Sequence, residues 1–142
     1  FGPLVSRPLM TVSRYMPYII GLSLGGAGLL YVGVSQAEWG IITLVLVFFS
    51  HACSGTSWVF STTLLQRRTD NDWMGRVAGT DNLIIVLTMG VSTIAAGYIL
   101  EEELVTLREI LLVTGLVQMT VGALWLILAS PREKSFIESK VA

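Results

Sequence analysis

The sequence predicts an all-α membrane protein of four antiparallel transmembrane helices. Three observations predict it. Hydrophobic residues make up 53% of the 142 positions and charged residues only 13%, against about 25% charged in an average soluble domain. Mean hydropathy is +0.71. The apolar residues also gather into four runs, each long enough to cross a hydrocarbon core of roughly 30 Å at about 1.5 Å per residue. A soluble helical bundle would show a solvated face on each helix, and the first run has no polar stripe.

Residues 1–15 (FGPLVSRPLMTVSRY) carry two prolines and two arginines. They read as the end of a preceding helix and a loop, and the missing initiator Met reads as a fragment or a processed chain. Pro17 suits the first turn of the next helix, where its absent N–H costs nothing. The first span, 16–34, is uncharged, and Gly21, Gly25 and Gly28 share a spacing that admits a second helix at close range. Residues 35–38 make a short turn. Tyr31 and Trp39 lie near it, as interface aromatics do.

The second span, 39–66, is longer than a bilayer needs and should tilt or protrude. Residues 67–75 form a polar hinge with Arg67 and Arg68, where Asp70 and Asp72 suit the start of the next helix. The third span is 76–100, followed by Glu101, Glu102 and Glu103. The fourth is 107–129, closed by Pro131 and a polar tail over 130–142.

Basic residues divide unevenly between the two ends of these spans. Arg7, Arg14, Arg67, Arg68, Arg76, Arg132, Lys134 and Lys140 fall at one end and Arg108 alone at the other. By the positive-inside rule the hinge and both termini are expected in the cytoplasm, and the glutamate loop outside.

Polar groups within a membrane span are costly and mark function or pairing. His51, Ser54, Gly55, Trp58 and Thr62 follow three- and four-residue steps along one face of the second span, with Cys53, Phe60 and Leu64 opposite. Such a face either lines a cavity for an aromatic or amphipathic molecule or packs on a neighbouring helix. His51 is the only histidine and the side chain best suited to relaying a proton near neutral pH.

On the third span, Asp81, Thr88 and Ser92 form a stripe with Asn82 beside it. Asp81 reads as a carboxylate favoured near a helix start or as a gate residue. Thr114, Gln118 and Gly122 on the fourth read as packing. The single cysteine, Cys53, excludes a disulfide framework and a cysteine metal site. No nucleophile–base pair, phosphate-cradling loop or Walker motif is present, so neither an enzyme, a cofactor, a metal nor a nucleic-acid partner is expected.

The stretch STTLLQRRTDNDWMGRVAG, 61–79, resembles the loop between the tenth and eleventh helices of the major facilitator superfamily, closest to its siderophore (enterobactin-type) and multidrug exporter branch. The matching residues are Ser61 to Thr63, Leu64-Leu65-Gln66 and Gly75-Arg76-Val77. Gly2, Ser6 and Arg7 match the family's Gly-x-x-x-Asp-Arg motif, with serine in place of aspartate.

The resemblance implies that the chain is the ninth to twelfth helices of a twelve-helix fold in a bacterial inner (plasma) membrane. It implies secondary-active export of a siderophore- or drug-like small molecule, with a proton as coupling ion and the N-terminal half as partner. His51, Ser54, Trp58, Thr62, Thr88 and Ser92 would then bind substrate, and Gly75, Arg76 and Asp81 would serve the hinge or gate. The rival expectation is a four-helix membrane scaffold or assembly subunit without transport activity.

Overall fold

The computed structural model describes residues 2–133 and 135, with side chains from Tyr15 onward. Its elements are α1 (Gly2–Gln36), α2 (Ile41–Arg68), α3 (Asn71–Glu101) and α4 (Leu107–Leu124). A π turn, Trp125–Ala129, then carries α4 on into helical residues 130–133. No strand occurs among the described residues. Four segments are long and apolar enough to cross a membrane: Tyr15–Gln36, Ile41–Arg68, Asn71–Glu101 and Leu107–Glu133.

The exposed surface fits such a chain to a bilayer. It measures 10,054 Å², whereas a compact water-soluble protein of 15.5 kDa exposes about 7,200 Å². Ile41, Leu44, Phe48, Met89, Val91, Ile94 and Ile127 are all exposed, and among the described residues the buried hydrophobic core is Met16, Ile20, Ala27, Val34 and Leu64.

α1 is the central element, with α2 and α4 packed antiparallel on either side of it. The α1–α4 seam is made by glycine. A β-carbon on Gly28 would stand 2.6 Å from the Gly115 carbonyl oxygen, and one on Gly115 would stand 2.7 Å from that of Gly28. One on Gly122 would meet the Gly25 nitrogen at 2.7 Å. The spacing of Gly21, Gly25 and Gly28 therefore does admit a helix, and that helix is α4. α3 stands apart: none of its residues is buried.

The ends are tied by side chains. At the acidic-loop end, Arg108 Nη2 donates to the Ala37 carbonyl at 3.1 Å and its guanidinium lies over the Trp39 ring. At the hinge end, Arg68 on α2 pairs with Glu133 beyond the π turn, at 2.7 Å.

Three boundaries differ from the sequence reading. Pro131, expected to close the fourth span, lies inside the helical residues 130–133. The loop expected over 1–15 is helical from Gly2, and Pro17 lies inside α1 instead of in its first turn. An internal proline leaves the carbonyl four residues earlier without its N–H donor, and membrane helices carry proline more often than soluble ones. The Pro17 carbonyl itself is a separate anchor: Trp125 Nε1 and Ser130 Oγ both donate to it, at 2.8 and 3.1 Å.

The hinge expected over 67–75 narrows to 69–70, between Arg68 and Asn71. Its charges serve helix ends: Arg67 and Arg68 close α2, and Asp72 lies in the first turn of α3, as the helix dipole favours. Asp70 occupies the N-cap position but makes no side-chain capping bond.

α3 ends in a Schellman turn. Leu104 N–H donates to the Ile99 carbonyl and Glu103 N–H to that of Leu100, with Glu103 at φ 51°. A left-handed conformation costs a non-glycine residue about 1–2 kcal/mol, and glycine is the usual occupant. Glu103→Gly is therefore expected to stabilise the chain by about 1 kcal/mol, read as a higher unfolding temperature in detergent.

Candidate functional site

α2 packs on α1 through one face. Thr43, Ser50 and Leu64 are buried there, Leu46 lies next to Gly33 and Cys53 next to Gly26, and Ser50 Oγ reaches the Ala27 carbonyl at 3.5 Å. The step of three or four residues is that of a single helical face. His51, Ser54, Trp58 and Thr62 lie around the helix from it, with His51 and Trp58 exposed and Ser54 and Thr62 half-buried.

His51 Nδ1 lies 3.0 Å from the Val47 carbonyl. A carbonyl only accepts, so this contact places a proton on Nδ1 and leaves Nε2 facing away from the helix backbone. Tyr31 of α1 stands beside this ring, centroids 6.4 Å apart. The face thus offers an imidazole, an indole 53% exposed and small hydroxyls, with no carboxylate or ammonium among them.

Thr88 and Ser92 are exposed on α3 and border an open surface hollow with Ile84, Ile85, Met89 and Thr93. All of its walls belong to α3, so it does not unite this pair with His51 and Trp58. Arg76 and Asp81 line another cavity, about 370 Å³, with Leu65 of α2 and Val77, Thr80 and Ile84. It sits where α2 meets α3 at the hinge. The Arg76 guanidinium lies over the Trp73 ring at 5.0 Å, which fixes it to the first turns of α3. Gly75 is exposed, and a β-carbon there would touch nothing within 4 Å.

The stripe on α4 divides. Gly122 packs on α1, Gln118 buries an amide oxygen with no hydrogen-bond partner, and Thr114 faces a groove toward α3. That groove is the feature sequence reading missed. It is an open groove of about 450 Å³ between the end of α3 (Ser92, Ala95, Ala96, Ile99) and the start of α4 (Glu109, Ile110, Val113, Thr114), with Val105 from the loop.

Glu109 is held by a capping box. Its Oε2 accepts from Thr106 N–H at 2.7 Å and from Thr106 Oγ1 at 2.9 Å, while its own N–H donates back to Thr106 Oγ1. The signal lay in the spacing Thr106-x-x-Glu109 ahead of an apolar run.

Fold and site together define a class: an all-helical chain with four candidate membrane spans and a polar, aromatic-bearing face left open on one of them. No protein family, curated protein or solved structure matches the chain. Among the described residues no group of His, Cys, Asp and Glu is placed to hold a metal ion.

Proposed function

We propose that the chain is the C-terminal part of a secondary-active transporter of the major facilitator type, exporting a small organic molecule by alternating access. The observation that carries this reading is the His51–Trp58 face. It is a polar face of a membrane-length helix, and it flanks the seam with α1, leaving His51 and Trp58 exposed. Polar groups at such a depth are expensive unless they meet a cavity or a partner.

In this reading His51 Nε2 and the Trp58 indole bind substrate with Ser54 and Thr62, and Thr88 and Ser92 contribute from α3. His51 is the candidate proton carrier. Arg76, Gly75 and Asp81 form the hinge-end gate, where α2 and α3 already share a cavity. The remaining helices of the transporter supply the opposite wall. The hinge faces the cytoplasm, because the arginines cluster at that end.

The test has two parts. Thr69→Cys in a Cys53→Ala background places one thiol in the hinge. A membrane-impermeant maleimide is expected to label it only after the cells are permeabilised. Labelling from outside intact cells inverts the topology and removes the reading. In proteoliposomes under a proton gradient, the 142-residue chain alone is expected to move no amphipathic dye. Dye flux driven by the chain alone refutes the proposal that it needs a second half.

A further inference from the structure

We propose that the groove between α3 and α4 is a lipid site, taking one acyl chain of a phospholipid whose headgroup ends in a primary ammonium. The proposal does not depend on transport. It rests on the cavity, its walls and the charge at its mouth.

The groove is about 450 Å³, within the range of small-molecule sites, about 300–1,000 Å³. Its α3 wall is low because Ser92, Ala95 and Ala96 are small, and Ile99, Val105, Ile110 and Val113 complete an apolar trough. Apolar walls facing an unfilled space lose their dispersion contacts. Between two membrane-length helices the apolar chain at hand is an acyl tail. α3 buries no side chain of its own, so a tail seated there would give α3 a packing surface against α4.

The polar end sets the headgroup. Glu109 lies on the groove wall at the first turn of α4, where the helix leaves the loop. Its Oε2 takes both bonds from Thr106, and a carboxylate has a second oxygen with further acceptor capacity. The neighbouring cation does not neutralise it: Arg108 is committed to the Ala37 carbonyl and the Trp39 ring on the α1–α2 turn. Glu101 at the end of α3, with Glu102 and Glu103 in the adjoining loop, adds negative charge. A primary ammonium donates hydrogen bonds to a carboxylate, whereas a quaternary ammonium cannot, and an anionic glycerol headgroup is repelled.

The test uses the 142-residue chain in nanodiscs of phosphatidylcholine, doped with phosphatidylethanolamine, phosphatidylglycerol or extra phosphatidylcholine of the same acyl composition. Native mass spectrometry counts retained lipid, and thermal unfolding reports stability. Phosphatidylethanolamine is expected to be retained about tenfold more strongly than phosphatidylcholine and to raise the unfolding temperature.

Glu109→Gln is the informative variant. Glutamine at this position preserves the capping box and removes the charge. It is expected to abolish the phosphatidylethanolamine preference while lowering the unfolding temperature in pure phosphatidylcholine only slightly, through the lost attraction of a first-turn carboxylate to the helix dipole. Ala96→Leu fills the trough and is expected to reduce retention of every lipid. Equal retention of the three lipids, or a preference that survives Glu109→Gln, overturns the proposal. The maleimide and flux measurements of the transport reading are unaffected by either outcome.

Discussion

Gly28→Ala, Gly115→Ala and Gly122→Ala are each expected to lower the stability of the folded chain by about 1–3 kcal/mol, the cost of overpacking a well-fitted site. A single methyl group is enough because of what it strikes. At Gly28 and Gly115 the nearest obstacle is the other helix's carbonyl oxygen, at 2.6 and 2.7 Å, and at Gly122 it is the Gly25 nitrogen at 2.7 Å. Backbone cannot rotate away as a side chain can, so the whole of α4 must lift from α1.

Gly21→Ala is expected to cost less, because its new methyl would meet the Leu126 side chain at 2.6 Å, which has other rotamers. Gly25→Ala is the control, since a β-carbon there meets nothing within 4 Å. It is expected to be neutral or slightly stabilising, alanine being the better helix former. Unfolding in detergent, followed by circular dichroism, gives the ranking. Gly28→Ala with Gly115→Ala is expected to cost less than the two singles together, because both relieve the same contact by the same separation. Equal losses at positions 25 and 28 would mean that the seam is not held by backbone contact.

This seam shows how far the sequence could be read. The spacing of Gly21, Gly25 and Gly28 announces a face open to close approach. It does not say which helix fills it, because α2, α3 and α4 are comparably apolar and each carries glycine. Gly115 and Gly122, seven residues apart, are the complement, yet only Gly122 entered the stripe read on the fourth span. The four spans themselves were legible because length and apolarity are local properties. The hinge limits were not, because arginine and aspartate serve helix ends as well as loops, and 67–75 contains both. The first loop was misread because a proline suits a helix start but also occurs inside membrane helices, and sequence alone does not separate the two.

The candidate site was legible in part for the same reason. That His51, Ser54, Trp58 and Thr62 share a face follows from helical period alone. That this face is not the one packed on α1 needed the buried set Thr43, Ser50 and Leu64. The α3–α4 groove depends on two segments standing apart, and composition carries no trace of a gap.

Trp125→Ala is expected to cost about 3 kcal/mol, near the lower end for removing a large aromatic, because Trp125 is half-buried and loses both packing and a hydrogen bond. In an α-helix, five residues carry the chain about 140° round the axis, so Trp125 and Ser130 would point to different neighbours. The π turn between them closes that angle, and the Ser130 N–H bonds back to the Trp125 carbonyl across it. Both side chains then reach one acceptor, the Pro17 carbonyl, at 2.8 and 3.1 Å.

Trp125→Phe keeps the ring and loses the donor, and is expected to cost about 1 kcal/mol, the net worth of one hydrogen bond. Ser130→Ala belongs in the same range. Pro17→Ala separates the two roles of residue 17. The carbonyl stays where it is and an N–H is gained, so stability is expected to hold or rise even though a proline has been removed from the contact. If Pro17→Ala instead costs as much as Trp125→Ala, it is the proline ring that α4 reads and not the carbonyl, and the π turn is left without its reason.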